Sequence, residues 1–185
     1  TMQALAELVV FHDDLSRSQT RLKNQLLRLF FEMDPVSETA HTNTFSQKQL
    51  KCWLTRTIRS QSQVSQETRR IVLRAKIRQL QNLEKTRLAT DVRITSLLKE
   101  VNSNLMTMPG AGVITAAKIT TAVKGIGRFG NIRKFVKYAG IAPVERQSGK
   151  TRKHKQAKGG NRQLNTAIYT IALTQLRCNK RAKDY

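Results

Sequence analysis

The stretch LVVFHDDLSRSQTRLKNQLLRLFFEM, residues 8–33, carries the pattern that decides the fold class. Apart from two polar positions, its seam residues are apolar and recur at alternating intervals of four and three, as in a helix that packs along another helix. The seam comprises Leu8, His12, Leu15, Gln19, Leu22, Leu26, Leu29 and Met33. Asp34-Pro35 ends the pattern, because proline cannot continue a helix. The stretch predicts a long amphipathic helix, in which His12 has no functional role.

More helix is predicted beyond a linker near residues 34–47, which is rich in Pro, Ser, Thr and Asn. Helical spacing returns from Lys48 to about Ser60 in Leu50, Trp53, Leu54 and Ile58. A longer helix from Ser65 to about Met106 carries Leu73, Ile77, Leu80, Leu88, Ile94, Leu98 and Val101. For residues 1–103 we expect a long antiparallel helical stalk, or a coiled coil completed by a second protomer.

Composition indicates a polyanionic partner. The 185 residues include 34 Lys and Arg against 12 Asp and Glu, a net charge of +22. Nucleic-acid phosphates would compensate this charge, and counterion release would supply binding free energy. Only 5% of the residues are aromatic, so the core must consist mainly of Leu, Ile, Val and Ala, which favours an all-α fold.

Membrane and metal functions find no support in the sequence. No run approaches the ~18 apolar residues of a membrane span. Cys52 and Cys178 form no Cys-x-x-Cys pair, so neither a zinc site nor a disulfide framework is indicated. We expect a cytoplasmic, nucleoid-associated protein.

A second domain is expected over residues 104–185. All nine glycines follow Met108, and the only acids after it are Glu145 and Asp184. The stretch LMTMPGAGVITAAKI, residues 105–119, is typical of a helix-hairpin-helix. Gly110 and Gly112 are expected to take positive φ, and the next helix, with Lys118, to offer its N-terminal N–H groups to phosphate. An ordinary glycine turn between two helices is the alternative.

The basic stretch VERQSGKTRKHKQAKGGN, residues 144–161, is predicted as a loop between a helix that ends at Gly140 and a terminal helix capped by Asn161. Ser148 lies among its cations. Candidate phosphate contacts are Arg146, Lys150, Arg152, Lys153, Lys155, Lys158 and Arg162. From the residues alone Ser-Gly is most often a turn, and no Ser/His/Asp arrangement surrounds it. Thr151 and Tyr138 are rival nucleophiles by chemistry alone.

Four motifs in order, MPGAGVITAAKI, RFGNIRKFVKYAGIAP, QSGK and KGGNRQL, resemble the C-terminal domain of the insertion-sequence-110 family of transposases, also named for its members 116 and 902. LSRSQTRLKNQLLRLFFEMDP is similar to that family's coiled-coil segment. The resemblance implies DNA rearrangement guided by a structured bridge RNA, in a homo-oligomer assembled through the coiled coil. It also implies that the serine at position 148 attacks a DNA phosphodiester.

The sequence departs from this family in two respects. The resemblance implies a RuvC-like domain with an Asp-Glu-Asp-Asp site for Mg²⁺ before the coiled coil, and the 185 residues do not include it. This part of the protein is therefore expected to bind nucleic acid without cutting it alone. Asn165 stands where family members commonly carry Arg. Two other functions remain open: a non-catalytic helix-hairpin-helix module that binds nucleic acid, and an RNA-binding accessory protein like those of ribosomes.

Overall fold

A computed structural model describes residues 1–33, 45–55, 63–148, 151–156 and 159–184. Its helices are α1 (Met2–Met33), α2 (Gln47–Thr55), α3 (Gln63–Glu100), α4 (Val113–Val123), α5 (Ile132–Tyr138), α6 (Arg162–Cys178) and α7 (Lys180–Lys183). Turns of 3₁₀ helix span Asn104–Thr107 and Ile126–Phe129. The described residues are mainly helical, which confirms the main part of the predicted fold class. None of the helices in these ranges combines the length and apolar character needed to span a membrane.

The basic stretch that we predicted as a loop is instead largely a β-hairpin. Strands β1 (Pro143–Ser148) and β2 (Thr151–Gln156) pair antiparallel as a two-stranded sheet. The register sets Pro143 opposite Gln156 and Ser148 opposite Thr151. Cross-strand bonds satisfy backbone groups that an open loop would leave to water, which explains the departure from an all-α fold.

The chain forms two compact units, and the predicted domain boundary near residue 104 stays a prediction. The first comprises Thr1–Val10 and Asp91–Tyr185, and the second comprises Phe11–Thr90. The first unit includes both chain ends because the start of α1 and the end of α3 share an apolar cluster with α4. That cluster contains Leu5, Val9, Ile94, Leu97, Leu98, Ala116 and Ala117.

The core of the second unit is built from three helices. Its buried residues are Leu22, Leu26 and Phe30 of α1, Leu50 and Trp53 of α2, and Leu73, Ile77 and Leu80 of α3. The rings of Phe30 and Trp53 stack with centroids 4.5 Å apart, and Phe45 meets Trp53 edge-on at 5.7 Å. Part of the predicted α3 face is wrong, because Leu88 is 54% exposed. The coiled coil with a second protomer stays a prediction.

Helix α3 ends at Glu100, several residues before the predicted end at Met106. Asn102 takes a left-handed φ of 54°, and Ser103 N–H donates to the Leu98 carbonyl at 3.1 Å. This is a Schellman ending, which satisfies the last carbonyls of the helix and turns the chain away. A 3₁₀ turn, rather than the end of the long α-helix, therefore precedes the glycines.

The two glycines of this turn have different roles. Gly110 takes a φ of +89°, and a Cβ placed there would lie 2.8 Å from the Thr174 Cβ of α6. Gly112 is the N-cap of α4 with a φ of −68°, so the expected positive φ is wrong at this position. A Cβ on Gly112 would meet nothing within 4 Å. Only Gly110 is required by the close approach of the turn to α6.

Replacing Gly110 with alanine should therefore destabilise the protein, whereas replacing Gly112 should not. We expect Gly110→Ala to lower the free energy of unfolding by about 1–3 kcal/mol, because it combines strained φ with a clash against α6. Gly112→Ala, the matched control, should change it by less than about 0.5 kcal/mol. Urea unfolding followed by circular dichroism measures both. Equal midpoints for the two variants would contradict the assigned packing of Gly110.

Candidate functional site

The base of the hairpin is closed by direct backbone contacts of Gly140 with Gly159 and Gly160. Gly140, just before β1, has a φ of +69°, and a Cβ there would lie 2.5 Å from the Gly159 carbonyl oxygen. Gly160, just after β2, has a φ of +102°, and a Cβ there would lie 2.6 Å from Gly140 N. Both the conformation and the space require glycine. The chain entering the hairpin thus touches the chain leaving it.

Helix α6 holds this base through its first residues. Asn161 N–H donates to the Tyr138 carbonyl at 2.8 Å. The Asn165 side-chain Nδ2 donates to the carbonyls of Ala139 and Gly140, at 3.1 and 3.2 Å. Asn161 Oδ1 accepts from Leu164 N at 3.0 Å, so the predicted N-cap is confirmed. The hairpin therefore starts and ends on residues fixed to a helix.

Tyr138 connects the hairpin base to α4. Its hydroxyl accepts from Asn161 Nδ2 at 3.2 Å and donates to the Ala122 carbonyl at 3.3 Å. The Arg128 guanidinium lies over the ring, 4.7 Å from its centroid. The amide of Asn161 and, after it, Arg128 hold the pKa of Tyr138 below its ordinary value, because both stabilise the phenolate. These contacts make Tyr138 a positioning residue of the hairpin.

The register of the hairpin sorts the predicted residues into two sets. Alternate residues of a strand lie on the same face, and opposed residues share that face. Ser148 is therefore grouped with its partner Thr151, and Arg146 with its partner Lys153; Lys155, opposite Val144, belongs to the same set. Arg152 and His154 belong to the other face. Gly149, Lys150 and Lys158 lie outside the described residues.

The remaining predicted residues lie on α4 and α6. Gly110 packs against α6, and Gly112 begins α4 without a side-chain hydrogen bond to its first turn. Lys118 is half-buried on α4. Arg162 is exposed and directly follows the Asn161 cap, so it lies next to the hairpin base. Of these four positions, Arg162 is the one that lies next to the hairpin base in sequence.

Sequence reasoning missed the residues that support the hairpin. Gly160 and Asn165 had no assigned structural role, Gly140 was predicted only as a helix end, and Asn161 only as a cap. A signal was present, because glycines flank the basic stretch in YAG and KGGN, and such flanks can mark a close backbone approach.

A metal site would require a cluster of ligands, and the described ranges contain no group of three or more His, Cys, Asp or Glu able to hold a metal ion. The residues present there do not fit the Mg²⁺ site that the family resemblance implies.

Residues 102–185, which include the glycine turn, the hairpin and α6, match the model of the transposase IS116/IS110/IS902 family. A protein of Streptomyces coelicolor, described as an insertion element IS110 uncharacterized 43.6 kDa protein, is 32% identical over 102 residues. The aligned residues cover 54% of this chain and 25% of that protein, so the chain corresponds to about a quarter of its length.

Removing the Asn165 amide should loosen the hairpin base. Asn165→Ala leaves the carbonyls of Ala139 and Gly140 without their donor, and we expect a loss of about 1–2 kcal/mol in unfolding free energy. Thr166→Ala is the matched control one position along α6, because the Thr166 hydroxyl bonds only to Arg162 O within the helix. Hydrogen exchange at the β1 and β2 amides should accelerate in Asn165→Ala alone. The same protection in both variants would contradict the anchoring role.

Proposed function

We propose that this chain is part of a transposase in which Ser148 attacks a DNA phosphodiester. The observation that carries the proposal is the place of Ser148: it ends β1 on a hairpin anchored at its base, inside the segment that matches the transposase model. A reacting group needs such a rigid scaffold. The QSGK motif at this position, as the family resemblance implies, assigns the nucleophile to Ser148 rather than Thr151.

The reaction is a transesterification. Ser148 Oγ forms a bond to phosphorus, the bond from phosphorus to the leaving strand oxygen breaks, and the serine proton passes to that oxygen or to water. The product is a covalent protein–DNA ester. Because one phosphoester replaces another, a strand hydroxyl can later attack the adduct and release the serine. Strand exchange therefore needs no external energy source.

Cations on the serine face support the chemical step. Negative charge develops on the non-bridging oxygens as the serine attacks, and fixed cations stabilise that charge. Arg146, Lys153 and Lys155 share the serine face by register and are assigned this role. Arg152, on the opposite face, is assigned to binding phosphate away from the reacting group. Lys150, Lys158 and Arg162 extend the phosphate-binding surface.

The whole protein has further proposed partners. The net charge of +22 is consistent with a structured guide RNA in addition to DNA. Phe11, Phe31 and Ile71, which are 46%, 49% and 59% exposed in the second unit, support self-association through a partner helix. Mg²⁺ would be held by a RuvC-like domain and not by the residues described here. Cleavage by this part alone is not expected.

A non-catalytic nucleic-acid-binding module is the second candidate. The first turn of α4 favours it, because Gly112 leaves this helix N-terminus without a side-chain cap and with open space around its Cα. Backbone N–H groups at such a terminus can hold a phosphate oxygen. In this alternative Ser148 is only a residue at the end of a strand.

Substitution of Ser148 separates these two functions. In the complete protein, with its metal-binding domain and RNA, Ser148→Ala should abolish strand cleavage and the covalent adduct. Affinity for DNA should stay nearly unchanged, because one neutral hydroxyl contributes little beside many phosphate contacts. Thr151→Ala, which removes the hydroxyl directly opposite, is the control and should still cleave. A denaturing gel of labelled DNA gives the result, and wild-type cleavage by Ser148→Ala would favour the binding module.

A pair of arginine variants tests the face assignment. Arg146→Ala should slow cleavage by roughly 10²–10³, since a lost charge contact in the transition state costs about 2–4 kcal/mol. Arg152→Ala removes the same charge from the opposite face of the hairpin and should slow cleavage by less than about tenfold when DNA is saturating. Single-turnover rates at saturating DNA make the comparison. Equal losses in both variants would show that the two cations act through bulk charge.

A further inference from the structure

The segment 126–135 lines a partly open cavity of about 240 Å³ that the proposed chemistry does not use. It is lined by Ile126, Phe129, Asn131, Ile132 and Phe135 together with two glycines. The lining is thus mainly apolar, with one side-chain amide. A small cavity of this composition suits a flat ring with a polar edge.

The floor of the cavity is held in place by its own contacts. Phe129 is 8% exposed, and its ring centroid lies 5.3 Å from that of Phe135 and 5.2 Å from that of Tyr138. Gly125 and Gly130, with φ of +113° and +65°, bracket the 3₁₀ turn that carries Phe129. Phe129 is therefore part of the core, and together with Phe135 it presents a fixed ring surface to the cavity.

The rim of the cavity is apolar and exposed. Ile126 is 65% exposed and Ile132 is 71% exposed, so neither side chain packs in the core. Two large aliphatic side chains open to water beside one small cavity indicate a surface that a ligand covers.

The charge around the cavity indicates the class of ligand. No acidic residue occurs between Val101 and Val144. The Arg128 guanidinium is fixed over the Phe129 ring at 4.6 Å and donates to the Ala122 carbonyl at 3.3 Å. Exposed cations flank the cavity in sequence: Lys124, Arg133, Lys134 and Lys137. An apolar surface among unopposed cations suits a nucleotide, whose base is flat and whose phosphate is anionic.

Asn131 adds a polar group with a defined role. Its Oδ1 accepts from Lys134 N at 2.9 Å and so caps α5. Asn131 is exposed and lines the cavity, and within the described residues the Nδ2 of the same amide donates no hydrogen bond. Base edges present carbonyl oxygens and ring nitrogens that accept such a bond.

We propose that this cavity, between Ile126 and Ile132, takes one unpaired nucleobase of the nucleic acid bound by the domain. The inference rests on the proposed nucleic-acid-binding function and adds a base-binding site to it. A base stacked within a duplex cannot enter a cavity of this kind, whereas an unpaired base can, at a small unstacking cost. The aliphatic rim and the phenylalanine floor then replace its stacking neighbours.

Three DNA probes test the proposal on the full chain by fluorescence anisotropy: a fully paired duplex, the same duplex with one bulged base, and the same bulge without its base. We expect the bulged base to increase affinity about tenfold over the other two probes, as stacking of one base allows. The double variant Ile126→Ser/Ile132→Ser should lose this preference. Val92→Ser, which changes a side chain 68% exposed outside the cavity, should keep it.

The salt dependence of affinity separates this inference from the function on which it rests. Binding of all probes should weaken with salt, with a slope of about 0.9 per phosphate contact on B-DNA, and the isoleucine variants should keep the wild-type slope. Equal affinity for the three probes, or a preference that survives the double variant, would overturn the base site and assign the isoleucines to a protein partner. Salt-independent or absent binding would overturn the nucleic-acid function as well.

Discussion

The backbone contact between Gly140 and Gly160 is the constraint on which the candidate site depends. Every residue of the hairpin is positioned from this point, because the two chain segments meet there before β1 begins and after β2 ends. The contact has no side chains of its own. Its geometry is fixed instead by the amides of Asn161 and Asn165 and by Tyr138, all of which lie on the flanking helices or their caps. The charged hairpin thus requires a neutral, tightly bonded base.

Much of the helical architecture could be predicted because apolar periodicity reports burial directly. Leu15, Leu22 and Leu26 of the predicted seam are buried. The seam was less accurate toward its ends, where Leu5 and Phe30 are buried while Leu8 and Leu29 are only half-buried. A straight helix turns every 3.6 residues, so a strict alternation of four and three drifts off the contact line. The existence of α1 was therefore predictable, and its exact face was not.

The hairpin could not be predicted for a different reason. Its strands consist largely of Lys, Arg, Gln and Thr, without the alternation of apolar and polar residues that marks a half-buried strand. What specifies it are contacts distant in sequence, between the residues before β1 and those after β2. The same limit applies to Gly112, where composition alone suggested positive φ and the helix cap needs extended backbone. The residue types of the candidate site could thus be predicted from the sequence. The contacts that hold them in place could be identified only in the folded structure.

The discontinuous make-up of the first unit has a consequence for how the protein folds. Residues 1–10 join residues 91–185, with the whole of the other unit between them along the chain. Closing a loop of that length costs entropy that grows as the logarithm of its length, and the cost falls if the intervening segment is already compact. Folding of the continuous unit, residues 11–90, is then the expected first step. It shortens the effective loop that separates Leu5 and Val9 from the residues they pack against. Assembly of the hairpin-bearing unit therefore joins two segments of the chain that residues 11–90 separate.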